Sequence, residues 1–168
     1  MTCRCFTHST SQPAVQRFMS PDGAPMPKDI AREQLNRQIE DRARLGHGKW
    51  KARLKDGRFV GRAGVSPFDL TGEVELGNVL APEFWGQGLA TEVGRGISAW
   101  TFAHLDIDHI IGFTHPKNVA SRRVLMKIGM RDLGPHDLGF EQPSRLFKVD
   151  RGGSGYDGRP LKKFIALS

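Results

Sequence analysis

The chain has two cysteines in 168 residues, Cys3 and Cys5, and a single tyrosine, Tyr156. A Cys-x-Cys pair near His8 falls short of the four ligands and wider spacing that zinc sites use, so free thiols are expected and no metal. No run approaches eighteen apolar residues, and the N-terminus lacks a hydrophobic signal segment, so neither a membrane-spanning helix nor secretion is expected and the location expected is cytoplasmic. Acidic residues are the minority charge, 18 against 25 Lys plus Arg, a formal net charge of +7. That excess favours anionic partners. The basic residues are scattered, with no aromatic-interleaved patch or nucleic-acid-binding motif, so a phosphate-rich cofactor is favoured over a nucleic acid. Two motifs are also missing. No Gly-Lys-Ser/Thr follows the glycines at 86 and 88, which argues against a P-loop, and position 91 is Thr where a dinucleotide fold would place a third glycine.

What the chain does contain is concentrated between Glu73 and Ser121. Glu73-Val74-Glu75-Leu76-Gly77-Asn78-Val79-Leu80 reads as a strand whose apolar residues fall at 74, 76, 79 and 80, out of strict alternation. One extra residue near Gly77-Asn78 would restore the phase, so a β-bulge is expected there. Gly86-Gln87-Gly88 then opens a helix marked by Leu89, Val93, Ile97 and Trp100. Backbone N–H groups in a first helical turn lack intrahelical partners, and glycines admit a phosphate to them. A short Gly-x-Gly is equally compatible with a plain tight turn. Asp108 to Thr114 reads as a buried strand, and Asn118 precedes a helix marked by Ala120, Val124 and Ile128, with Gly129 at its C′ position.

In that order and spacing, three motifs resemble the GNAT superfamily of acyl-CoA N-acyltransferases, and within it the RimJ/RimL-like branch. They are Val74-Glu75-Leu76-Gly77, Pro82 to Glu92 around Trp85-Gly86-Gln87-Gly88-Leu89-Ala90-Thr91, and Thr114 to Leu125 with Lys127 and Gly129. The resemblance covers roughly residues 13 to 150. It implies an α+β fold with a mixed, mostly antiparallel central sheet flanked by helices, and acetyl-CoA as co-substrate. The family begins with a strand and a helix that are absent or replaced here; they normally supply an edge strand and part of the acceptor-side wall. Residues 1–12 are therefore an atypical or disordered segment.

Elsewhere, Pro27 to Leu45 reads as a surface helix with Ala31, Leu35, Ile39 and Ala43 as its apolar stripe. Trp50, Ala52 and Leu54 alternate with basic residues, Asp56-Gly57 turns a hairpin, and Phe59 to Val65 returns. Met130 to Leu133 and Ser144 to Val149 read as two further strands. Residues 151–168, glycine-rich at first, form a tail that is either a flexible end or a piece docked back onto the sheet.

The resemblance implies roles residue by residue. The backbone of Asn78, Val79 and Leu80 would pair with the pantetheine arm as a pseudo-strand, with the Val79 N–H at the thioester oxygen. The N–H groups of Gly86, Gln87, Gly88, Leu89, Ala90 and Thr91 would hold the pyrophosphate. Asn118 reads both as helix N-cap and as a pantetheine contact, and Ser121 both as a capping serine and as a donor to the departing sulfur. Glu75 is the first choice for general base, with Glu73 and His115 as rivals and a structural ion pair as the plainer role. Two positions depart from the family: Trp85 stands where many members carry Gln or Arg, as is usual for that branch, and Leu125 where many carry a Tyr. The acceptor would be a primary amine, on a peptide N-terminus or a small molecule, and the protein a monomer or homodimer. The alternative is a non-catalytic acyl-CoA-binding or interaction module.

Overall fold

The computed structural model describes residues 12–20, 23–153 and 164–167, the last four as backbone. Cys3, Cys5, His8 and the segment 1–11 lie outside the described residues. A short turn of helix, α1 (Pro13–Gln16), and a long helix, α2 (Lys28–Leu45), come first. Then follow β1 (Lys49–Leu54), β2 (Phe59–Pro67), β3 (Val74–Leu80), a 3-10 turn at Pro82–Phe84 and α3 (Leu89–His104). The chain continues through β4 (His109–Thr114), α4 (Val119–Ile128), β5 (Arg131–His136), β6 (Ser144–Asp150) and β7 (Phe164–Leu167).

Local chemistry accounts for the boundaries. Gly46 ends α2 in the left-handed conformation at φ 72°, and Gly129 does the same for α4 at φ 106°. In the β1–β2 turn the Asp56 carboxylate takes the Arg58 N–H at 3.0 Å and Gly57 sits at φ 87°. The seven strands lie in the order β5-β6-β4-β3-β2-β1-β7. Only β3 and β4 run parallel; every other neighbouring pair is antiparallel. This is the α+β architecture expected. Among the described residues no strand precedes β1, and no helix is long and apolar enough to cross a membrane.

The two faces of the sheet differ. On one, Leu76, Leu80, Ala63, Ile110, Phe147 and Val149 pack beneath Leu89, Val93 and Ile97 of α3 and Leu125 and Ile128 of α4. A Cβ at Gly94 would run into the Ile128 side chain, so the two helices approach through a glycine. The α4 stripe departs from expectation, since Ala120 is exposed and Leu125 takes its place. The α2 stripe is also only half used: Ala31 and Leu35 are buried with Met26 in a separate small cluster, while Ile39 and Ala43 are exposed.

Two expectations are corrected. No bulge interrupts β3, because Val74 to Leu80 pair with Pro67 to Gly61 in unbroken register. Val74, Leu76, Asn78 and Leu80 therefore share one face, and Val79 turns to the other. The apolar run misled because Asn occupies a helix-side position and Val the opposite one. The flexible-tail reading also fails for 164–167, which pair with β1. An uncovered β1 would present a row of unpaired backbone groups, and β7 satisfies them.

Candidate active site

β3 and β4 share a single paired position, Glu75 with Ile111, after which the parallel strands part. The direction of the backbone groups along β3 follows from its ladder with β2. The Ala81 N–H donates to the Val60 carbonyl at 2.9 Å. Alternation back along the strand then commits the N–H and C=O of Val79, Gly77 and Glu75 to β2 and turns those of Leu76, Asn78 and Leu80 into the split. Two contacts agree: a Cβ on Gly112 of β4 would lie 3.5 Å from the Leu76 oxygen, and the Leu80 carbonyl accepts from outside the ladder. Val79, expected to donate into the split, is thus corrected; its amide is occupied by β2, and Asn78 presents the donor instead. The wrong assignment descends from the absent bulge, since one extra residue would have exchanged the two.

The donor to the Leu80 carbonyl is the Trp85 indole N–H, at 2.7 Å. This bond draws the start of the glycine loop to the mouth of the split. Gly86 and Gly88 take φ 74° and 77°, both exposed, and a Cβ at either would meet nothing within 4 Å. The Gln87 side-chain amide donates to the Glu83 carbonyl at 3.0 Å and steadies the loop. Gly88 is the N-cap of α3 and has no side chain with which to cap it. Glu92 makes the first intrahelical bond, to Gly88, so the N–H groups of Leu89, Ala90 and Thr91 precede it. Leu89 anchors the turn, buried to 1% exposure, leaving the amides at the surface of the helix end. The macrodipole adds partial positive charge there.

α4 starts differently. The Asn118 side chain accepts the Ser121 N–H at 3.0 Å, so Asn118 fills the capping role read for it, while Ser121 contributes only its backbone N–H. Asn118 and Ser121 are half-buried. His115 keeps its Nδ1 as acceptor for the Lys117 N–H at 3.1 Å, and its ring lies 5.6 Å from that of Phe18.

Glu75 projects from β3 on the face opposite α3 and α4. Its Oε2 accepts from Lys49 Nζ at 2.9 Å and from Ser66 Oγ at 3.3 Å. Its Oε1 lies over Gly77, where an added Cβ would come within 2.7 Å of both Oε1 and Lys49 Nζ. Arg62 stands on the same face, 7% exposed; burial pushes its guanidinium down to about 10, against the opposing pull of Glu75, and it stays charged at neutral pH. Glu73 is bound elsewhere, to His109 Nε2 at 2.7 Å, and that hydrogen bond holds its carboxyl below the usual range, helped by Thr71. Lys49, Arg62 and Ser66 were missed from sequence, although Arg62 inside the apolar Phe59–Val65 run was a visible signal. Among the described residues no three His, Cys, Asp or Glu side chains group as a metal site.

The comparisons with known proteins bear on the family and the fold. The family model for the acetyltransferase (GNAT) domain matches residues 5–131. FsC-acetyl coenzyme A-N(2)-transacetylase of Aspergillus fumigatus is 33% identical over 93 residues, 51% of this chain and 39% of its own length. Matches to the curated relatives span less than two thirds of their lengths. A GNAT-family acetyltransferase from Bacillus anthracis superposes with TM-score 0.72 at 21% identity, covering 89% of each chain. Spermidine N-acetyltransferase from Vibrio cholerae, solved with CoA and spermine, superposes with TM-score 0.71 at 15% identity over 90% of each chain.

Proposed function

The chain belongs to the GNAT acetyltransferase family, and from that premise we propose that it transfers an acetyl group from acetyl-CoA to a primary amine by direct attack, within the RimJ/RimL-like branch and in the cytoplasm. The observation that carries this reading is the 2.7 Å bond from Trp85 to Leu80, which sets an uncapped helix start at the mouth of a strand split. An anionic tail and an amide-bearing arm need those two features side by side. The residues present fit such a co-substrate: Asn78 and Leu80 offer backbone groups in the split, and Gly86 to Thr91 offer amides beyond it.

Acetyl-CoA supplies the activated acyl carbon. Asn78 N–H donates to the carbonyl oxygen as negative charge develops there, an oxyanion-type role. Glu75, through the Oε1 that overlies Gly77, takes the proton from the incoming ammonium directly or through water. Lys49 and Ser66 keep that carboxylate aimed. The amine nitrogen bonds to the acyl carbon, the carbon–sulfur bond breaks, and the second proton shed by the nitrogen passes through water to the departing thiolate, which accepts a hydrogen bond from the Ser121 hydroxyl. The 13–150 segment is the acyltransferase domain in this reading.

Release of free CoA from acetyl-CoA, followed over a panel of amines and short peptides, tests it. Glu75→Gln should lower kcat by about a hundredfold, in the range of general-base loss, with little change in CoA affinity. Gly77→Ala should act in the same direction and more weakly, by displacing Oε1 and Lys49 without touching the core. CoA binding with no turnover on any amine, unaltered in Glu75→Gln, would overturn the catalytic reading in favour of a binding module.

A further inference from the structure

On the Glu75 face of the sheet lies a row of aromatic rings that the mechanism above does not use. Phe113 projects from β4 two residues beyond Ile111, so it flanks the split on the side opposite Gly77. Phe68, just past the end of β2, reaches over the sheet to place its ring 5.2 Å from that of Phe113. Phe140, from the β5–β6 connection, lies 5.3 Å away on the other side. His115, two residues further on and just past the end of β4, continues the row with Phe18 against it at 5.6 Å. Four separate segments thus deliver aromatic side chains to the acceptor side of the split. The row is open: Phe140 is 49% exposed, and Phe18, Phe68 and Phe113 are half-buried.

The charges on this face bear on the ligand's chemistry. Three carboxylates on this sheet face, Glu73, Glu75 and Asp150, each already have a partner. Glu73 holds His109, Glu75 holds Lys49, and Asp150 holds Arg131 at 2.8 Å. Buried Arg62 adds a further positive charge beside Glu75. A polyamine gains most from carboxylates that lack partners, and the three on this sheet face are already bonded. Glu141 and Asp137 on the Phe140 loop, and Asp69 beside Phe68 and 3.8 Å from Arg37, are exposed, where water and salt screen them.

We infer that the acceptor is a monoamine with an aromatic or branched apolar body, which lies along the Phe68–Phe113–Phe140 row while its amine reaches the split beside Glu75. This rests on the acetyltransferase reading above and narrows its substrate class. Rings of this kind take up a flat apolar body through offset and edge contacts.

The test is a comparison of kcat/KM for phenethylamine, an N-terminal phenylalanine amide, methylamine and spermidine with the full chain and acetyl-CoA. Phenethylamine or the phenylalanine amide should exceed both methylamine and spermidine by at least about tenfold, the scale of burying part of one ring. Phe140→Ala, on an exposed loop, should cut the phenethylamine to methylamine ratio about tenfold through KM, while KM for acetyl-CoA holds. Phe113→Ala should do the same more strongly, with circular dichroism reporting its fold. Spermidine as the best acceptor, or an unchanged ratio in both variants, would overturn the inference while leaving acetyl transfer itself standing. An absence of turnover on every amine would instead overturn the reading on which it rests, and the inference with it.

Discussion

α3 begins at Gly88, which sits at φ 77° and has no side chain, whereas α4 begins at Asn118, whose oxygen already holds the Ser121 N–H at 3.0 Å. Both helices cover the same face of the sheet, and both begin just after a strand that borders the split. At α4 the N–H groups of Val119 and Ser121 are bonded within the chain, whereas no side chain caps the start of α3. A helix end without a cap costs stability, typically about 1 kcal/mol, unless something else satisfies it. Under the proposed function the difference separates a turn built for the fold from a turn built for an anion, with the glycine loop before α3 of the second kind.

The largest effect should come from spoiling the open start. Gly88→Val forces a β-branched residue into a left-handed conformation and moves the amides of Leu89 to Thr91. CoA affinity, measured by calorimetry, should fall about a hundredfold, equivalent to one or two charge-assisted hydrogen bonds. Removing the closed start should act the other way round. Asn118→Ala should cost about 1 kcal/mol of stability and lower Tm by about 2–4 °C in a domain of this size. CoA affinity should drop only about fivefold, the loss of one neutral hydrogen bond from the Asn118 amide to the pantetheine arm. The smallest effect is expected from Ser121→Ala, which keeps the backbone N–H that Asn118 holds. Tm should not move, and kcat should fall about threefold through loss of the weak hydrogen bond from the hydroxyl to the departing sulfur. A Gly88→Val protein that still binds CoA as tightly as the parent would erase the distinction between the two helix starts.

Much of this pairing was legible beforehand, because helix starts and hairpins are written in short-range chemistry. Gly86 and Gly88, Asn118, Gly129 and Asp56-Gly57 each act within four residues of where they stand, and each fills the position expected. What failed depends on neighbours distant in the chain. Strand periodicity assigns side chains to faces, yet the direction of the β3 amides is set by where the ladder with β2 begins, which one extra residue would reverse. Hence Val79 was named where Asn78 faces the split. Lys49 reaches Glu75 across 26 positions of sequence, and the rings of Phe68, Phe113 and Phe140 meet only because loops fold over one sheet face. The β7 pairing is of the same type: residues 164–167 find β1 because an edge is available, which no local pattern announces.

The most direct measurement is a titration of the labelled protein with CoA, followed amide by amide in nitrogen–proton correlation spectra. The amides of Gly86 to Thr91, together with Asn78 and Leu80, should shift in a saturable way, while those of Val79, paired with β2, and Ser121 move little. Saturable binding that leaves the Gly86–Thr91 amides in place, or that shifts Val79 in preference to Asn78, would contradict the account.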